Sequence, residues 1–467
     1  LYRFRSVENL IGEHQELEKQ QIYMAAIEQL NDPMEGKRRY FWKGDKILWE
    51  NFFKHYILCL EHVIFLSRLL HEDETIKISD IPIYKSEDML PTEIYKERIK
   101  ELNKNFFSDR FIQEYINFIV SNSNKKYSEE MYVHLKTITG RALDYIFESH
   151  AEAGFIPKKK ESINREEKMP DLDLTNVWSQ FNEQPESEVF YTEIMEFLHT
   201  YFKEKDTESL YIYKNYPKSQ SIFVEFPQMY LDRIVDLLYP KVYIACFMDN
   251  CSNSSVWGTY GNNHTGVCLK FKTDLEKPKL SLKTIVGYSS TSGKKLDFKD
   301  FTLKPIKYSY DYDELDFFKN IGKLPFKQLK EQWYSDDEGN LSQSYIDLFS
   351  NEDVWRSQYW GNFEYPYLLK TPDWSHEKEY RIMHSNSLND SIDHKARLLE
   401  YKFEDLESIT FGMKTPVEAR TKIIEIINKK CEENNRESFD FYEMEFSNIK
   451  KGFYPRKILT INKELTS

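Results

Sequence analysis

The sequence predicts an α+β protein whose mixed β core is built from both ends of the chain, with a large helical block inserted between them. Three observations carry this. Segments with strand-like alternation gather at 1–45 and 240–467, whereas 46–239 carries helical periodicity. Gly (15) and Pro (16) are scarce in 467 residues, which favours long helices over a loop-rich all-β chain. The 32 Tyr and 32 Phe supply enough aromatic bulk for a real core.

Taken in order, "LYRFRS" alternates apolar and basic residues and reads as a strand. Ser6 then caps a helix over "VENLIGEHQELEKQ", with Glu8 in its first turn. "QIYMAAI" reads as a second short strand. "LNDPMEG" reads as a turn, in which Asn31 and Asp32 bond their own backbone and Pro33 stops a helix. "KILWENFFKHYILCLEHVIFLSRLL" opens a block of five or six helices. Glu61, His62 and Arg68 interrupt its apolar run, so it reads as a buried helix and not as a membrane span. The polar stretch 157–187 reads as a mobile loop.

Strands return at "KVYIACFMD" and "GVCLKF", and "KPIKYSYDYDELDFFKNIGKLPFKQLKEQW" reads as strand, then helix. "EYPYLLKTPDW" leads into the strand "EKEYRIM". "LESITFGMKTPVEARTKIIEIINKKCEEN" reads as strand, Gly turn and helix, with Thr415 capping and Pro416 at the first helical position. "FDFYEMEFS" and "PRKILTI" close the chain as strands. The expected organisation is therefore one α+β domain, 1–45 with 240–467, carrying a helical insertion at 46–239.

The formal net charge of −13 argues against general nucleic-acid binding, which needs a basic surface. Five scattered cysteines do not form a disulfide scaffold. "LYRFRSVENL" lacks the apolar core of a signal peptide, and the expectation is a cytoplasmic protein with no membrane contact. Cys246, Cys251, His264 and Cys268 follow zinc-like gaps. Cys246 and Cys268 lie in apolar strand segments, however, where a free Cys behaves as a small hydrophobe, so no metal is expected.

Three constellations carry chemistry. In "LYRFR", Tyr2 and Phe4 share one side of a strand and Arg3 and Arg5 the other. Paired guanidinium groups suit a diphosphate, and the plainer reading is an edge strand with solvent-facing arginines. In "GNNHTG", His264 lies in a polar loop after Trp257 and Tyr260, which suits a polar ligand or simply a turn. In "PDWSHEKEYRIM", extended geometry would put Glu377, Glu379 and Arg381 on one face and Tyr380 and Ile382 toward a core. Carboxylates about 7 Å apart along a strand repel one another unless Arg381 or a ligand lies between them. Such a pair serves acid–base work or a cationic sugar transition state. The plainer reading is an exposed salt bridge worth about 0–1 kcal/mol, with Arg381 the counter-charge.

Together, "LYRFRS", "NDPMEG", "IACFMD", "VWGTYGNNHTGVCLKF", "DWSHEKEYRI" and "ITFGMKTPVEARTKIIEII" resemble the motifs of an uncharacterised bacterial domain family of unknown function. The resemblance covers about 1–45 and 240–460. More distantly, the pattern is similar to ADP-ribosyltransferase-like toxins. That similarity implies an ADP-ribosyltransferase-like mixed β core that takes NAD as its substrate. It implies Glu379 as catalytic residue with Glu377 as its neighbour, and Arg3 or Arg5 on the NAD diphosphate or ribose. Tyr2, Asn31, Asp32, Trp257, Tyr260, His264 and Arg381 complete the expected cofactor-contact set. Met248 departs from the family pattern, which more often has Ser there, and Tyr380 replaces the usual Trp.

The expected function is an NAD-consuming toxin or anti-phage effector that cleaves the nicotinamide–ribose bond. Nucleic acid would enter only as a modified target, and the helical insertion would bind a protein partner or self-associate. The alternatives are a non-catalytic nucleotide- or protein-binding sensor or scaffold, and a metal-dependent nuclease using Glu377-Lys378-Glu379.

Overall fold

The computed structural model describes residues 1–71, 73–157, 188–212, 214, 218–274, 276–289, 293–385 and 394–462. The predicted mobile loop lies, from 158 onward, outside the described residues. The chain forms two compact units. A sheet unit comprises Leu1–Lys37, Pro240–Tyr312 and Glu364–Ser467, and a helical unit comprises Arg38–Tyr239 and Asp313–Phe363. The α+β class and the assembly of the sheet from remote chain segments follow the sequence reading. The boundary differs, because 313–363 belongs with the helices. Its strand Glu314–Asp316 pairs in parallel with Arg39–Trp42, and the Asn51 side-chain amide donates to the carbonyls of Trp333 and Ser335.

The main sheet of the first unit has nine strands. Eight lie in the order Lys304–Pro305, Glu379–Ser385, Val242–Met248, Tyr2–Arg5, Val267–Phe271, Leu406–Phe411, Ser438–Ser447 and Gly452–Asn462. Ala25–Ala26 pairs beside Val242–Met248. Tyr2–Arg5 is thus a central strand and not the edge strand of the plainer reading. Ser6 caps a helix as expected, accepting from the Asn9 N–H. That helix covers only Val7–Ile11. Gly12 is its C-cap with a non-helical backbone, and Gln15 and Gln20 take positive φ, so the chain turns where a longer helix was expected.

Strand alternation gives the sheet two different faces. Val267, Leu269, Phe271, Phe247, Ala245 and Ile382 join one large core. It is closed by the helix Val417–Glu433 and by a four-stranded sheet that contributes Ile22, Leu282 and Tyr401. The opposite face carries a smaller cluster of Phe4, Met248, Cys251, Val256, Trp257, Cys268 and Met444, with Tyr2, Tyr260 and Phe453 packed against it. Its pivot is Trp257, fully buried in the short helix Ser254–Thr259, whose indole N–H donates to the Cys251 carbonyl at 2.7 Å. Phe4 meets the Trp257 ring edge-on at 4.9 Å. The Thr415 hydroxyl donates to the Gly266 carbonyl and does not cap the last helix, which starts at Val417 after Pro416.

In the helical unit, the stretch expected to be helical holds six helices among the described residues: Lys46–Ser67, Glu93–Ser108, Arg110–Ser121, Ser128–Glu152, Glu188–Ile212 and Ile222–Ile234. Asp45 caps the first of them, which is largely buried as the sequence suggested. Among the described residues no helix is long and apolar enough to cross a membrane.

Two glycines make opposite predictions. A Cβ at Gly412 would lie 2.2 Å from the His264 carbonyl oxygen, backbone against backbone. Gly412→Ala should lower stability by about 1–3 kcal/mol. Gly140 lies inside the helix Ser128–Glu152 with open space around it, so Gly140→Ala should raise stability by about 0.5–1 kcal/mol. Urea unfolding midpoints read both changes.

Candidate functional site

Register decides which predicted residues meet. Residues directly opposite in paired antiparallel strands point to the same face. Tyr2 lies opposite Met248, and Met248 opposite Glu379, so these three form one cross-strand row. Arg381 lies opposite Cys246 on the same face. Arg3 and Arg5 therefore point to the other face, away from Glu379. Arg3 donates to the Cys246 carbonyl at 3.1 Å and the Tyr23 carbonyl at 2.9 Å, with its guanidinium over the Phe247 ring. Arg5 is spent in a two-pronged bond with Glu16. Arg3 and Arg5 share one face, but it is the face opposite Glu379, and there both act as structural staples.

Glu377 reaches the cluster by a different route from the one alternation predicts. Pro372–Glu377 is a tight 3₁₀ turn, Lys378 has a left-handed backbone (φ 47°), and the strand begins only at Glu379. The turn brings Glu377 back beside Glu379. The carboxylates form no exposed salt bridge either. Glu35, Lys370, Glu377, Glu379 and Arg381 make one buried network, each at most 3% exposed.

Arg381 ties it together. Its Nε donates to Glu379 Oε1 at 2.7 Å, its Nη2 to Glu35 Oε2 at 2.5 Å and Glu379 Oε2 at 3.0 Å, and its Nη1 to the Tyr367 carbonyl at 2.8 Å. The Lys370 ammonium lies 2.7 Å from Glu377, 3.3 Å from Glu35 and 3.4 Å from Glu379, and sits over the Trp374 ring. Asp32 locks the turn that delivers Glu35. It accepts from the Met34 N–H, and its other oxygen accepts from the Thr371 N–H and hydroxyl. Asp32 thus braces the turn, and Asn31 is exposed.

The environments of the carboxyls diverge. Burial alone would raise Glu379, but Arg381 and Lys370 outweigh it and hold the carboxyl down to about 2. For Glu377 burial dominates, and the carboxyl lies above its ordinary range despite Lys370. Glu35 is raised for the same reason. Glu377 Oε1 is buried without a well-formed hydrogen bond, and the Tyr260 hydroxyl bears on this carboxyl. The Tyr308 hydroxyl accepts from the Glu379 N–H at 2.8 Å. Tyr260 and Tyr308 are half-buried, so they touch the network and also reach solvent.

His264 stands apart from the carboxylates. The row through Glu379 crosses Val267–Phe271 at Lys270, whereas the His264 loop enters that strand at Val267, about 10 Å away along it. The imidazole lies between Trp257 and Phe453, and its Nδ1 is buried without a partner. Asn262, Asn263 and His264 all have left-handed backbone, a strained run of the kind stored near functional sites. All five cysteines are free thiols, with Cys246 turned to the Glu379 carboxylate. Among the described residues no three His, Cys, Asp or Glu form a metal-holding group. The oxygens that a nuclease would give to Mg²⁺ are turned onto Lys370 and Arg381.

Glu35, Lys370 and Tyr308 escaped the sequence reading. Glu35 lay in a segment that reads as a turn, and Lys370 in a lead-in to Pro372. Their only signal was a charged residue next to apolar or turn-forming neighbours.

Residues 256–382 match the family model of a protein of unknown function (DUF2971). The matched segment contains Trp257, Tyr260, His264, Tyr308, Lys370, Glu377, Glu379 and Arg381. It leaves Tyr2 and Glu35 outside. No curated protein and no solved structure matches the chain.

The network predicts a particular acid response. The folded value of Glu379 lies below the ordinary carboxylate value of 4.5, at about 2. Its stabilisation is therefore complete above about pH 4.5 and is lost as pH falls toward 2, amounting to about 3 kcal/mol. Glu35 and Glu377 are raised, so they act with the opposite sign. Their contribution is largest at low pH and fades as pH rises through their raised values. Glu379→Gln should flatten the stability–pH curve between pH 2 and 4.5. A slope equal to that of wild type would mean that Glu379 is not held ionised.

Proposed function

We propose that the sheet unit is an NAD-consuming module of the ADP-ribosyltransferase type, acting at the sheet face that carries Glu377 and Glu379. One observation carries the reading. Two carboxyls two residues apart are pushed in opposite directions, Glu379 toward the ionised form and Glu377 toward the protonated one. Such divergence marks acid–base division of labour. In this reading the C1′–N glycosidic bond breaks, nicotinamide leaves with the bonding pair, and the ribosyl cation is captured by water or an acceptor that gives up a proton. The fixed negative charge of Glu379 stabilises the developing cation. Glu377 Oε1 and the Tyr260 hydroxyl meet the ligand. Tyr2, next in the row after Met248, supplies a hydroxyl where Met248 has none. In a cell this reaction depletes NAD or marks a target, the work of a toxin or anti-phage effector.

A second reading is a non-catalytic binding scaffold. Both Glu379 oxygens are already engaged by Arg381, and Met248 fills the middle position.

Nicotinamide release from NAD separates the two. Tyr260→Phe and Glu377→Gln should cut the rate at least about 100-fold while the melting temperature of Tyr260→Phe stays near wild type. Wild-type protein that neither releases nicotinamide nor is stabilised by NAD or ADP-ribose leaves only the protein-binding scaffold.

A further inference from the structure

The helical unit contains a second polar site, unrelated to the carboxylate network. A cavity of about 220 Å³ is lined by Lys43, Lys126 and Lys319, the 122–124 turn, and the start of the helix Lys46–Ser67 around Gly44 and Asp45. Three ammonium groups facing one small cavity repel one another unless an anion sits between them.

The carboxylates lining the cavity are also bonded elsewhere. Asp45 caps the helix at the Leu48 N–H, and its other oxygen accepts from the Ser342 hydroxyl and the Gln343 N–H. Asp347 accepts from the Gln343 side-chain amide. Lys319 has Asp316 near it, at 3.9 Å, and Lys43 acts on the same carboxylate. Glu130 acts on Lys126 only from beyond ion-pairing distance.

Lys126 is the anchor. It is 1% exposed, and its ammonium donates to the Asn122 carbonyl at 2.6 Å and the Asn124 carbonyl at 3.1 Å. An ammonium has three N–H donors, so one remains. Burial first, and then the charge of Lys43, push this ammonium down to about 8. A buried cation held by two carbonyls, with Glu130 acting on it only from a distance, is weakly compensated, and two further lysines line the same cavity.

We propose that this cavity binds a phosphoryl group, as free phosphate or as the terminal phosphate of a small nucleotide. Lysine serves phosphate as a point charge, which suits three flexible ammonium groups closing on a dianion. Lys126 forms the floor, and Lys43 and Lys319 are the exposed jaws.

The test uses the full chain, with inorganic phosphate, AMP and chloride at matched ionic strength, followed by calorimetric titration and thermal shift. Phosphate or AMP should bind where chloride does not, and the tighter of the two identifies the source. Lys43→Gln and Lys319→Gln, both at exposed positions, should each weaken binding about tenfold. Lys126→Met should abolish it if the unit still folds. Stabilisation by phosphate no greater than by chloride, or unchanged affinity in the Lys43→Gln Lys319→Gln double variant, overturns the proposal.

Discussion

The buried guanidinium of Arg381 is the constraint on which the sheet unit's polar side depends. Taking it out of water is costly and is offset by four hydrogen bonds, three of them to carboxylates. Glu379 and Glu35 supply carboxylates, and Tyr367 supplies a carbonyl. Those partners come from three separate segments, with Glu35 lying 346 positions from Arg381 in sequence. The planar fork fixes their orientation as well as their distance. Lysine in its place could satisfy the charge but not the two-sided geometry. Asp32 reinforces the same closure from the other side, since its bonds to Thr371 hold the Glu35 turn against the segment that carries Lys370.

The two faces of the sheet solve different problems. One is a large apolar core, and the Arg3 guanidinium is buried beside it. Its charge is offset by two backbone carbonyls and a ring face, and burial pulls its value down to about 10. The other face runs from the Trp257 cluster to the carboxylate network, with Met248 in the row beside Glu379. One period-2 strand, Tyr2–Arg5, feeds both. Tyr2 and Phe4 serve the second face, and Arg3 and Arg5 the first.

Much of this was legible in the sequence, and the failures have common physical causes. Strands with clean alternation, such as "GVCLKF" and "VYIACF", lie where periodicity puts them, because their burial depends on alternation itself. The buried character of "YILCLEHVIFLSRLL" was legible for the same reason. Periodicity could not show that Val7–Ile11 would stop at Gly12, since a backbone turn leaves no mark on a hydrophobic pattern. Nor could it assign 313–363, whose place is set by pairing of Glu314–Asp316 with Arg39–Trp42. At the candidate site, Glu379 and Glu377 were visible as a spaced pair. Their true partners Glu35 and Lys370 were not, because a buried ion network is a property of three-dimensional closure. Arg3 and Arg5 misled for the opposite reason: their spacing was right for a pair, but the strand's face was already committed to the core.

The charge balance of the network bears on what it can bind. Glu35, Glu377 and Glu379 share two cations, Lys370 and Arg381. With every carboxyl ionised, the cluster lacks one positive charge in a place where burial makes imbalance costly. A proton shared by the raised pair, Glu35 and Glu377, relieves the deficit, and the three carboxyls titrate as one coupled group. A bound positive centre would relieve it equally well and displace that proton. On the proposed reading, a nicotinamide nucleotide brings such a centre on its pyridinium ring, and the charge passes to the ribose as the glycosidic bond breaks. The network would then be best matched when the cation lies nearest Glu377, the carboxyl with an unsatisfied oxygen. The same arithmetic explains why Glu379 can stay ionised throughout. Arg381 gives two of its hydrogen bonds to it, and the variable proton is left to its neighbours.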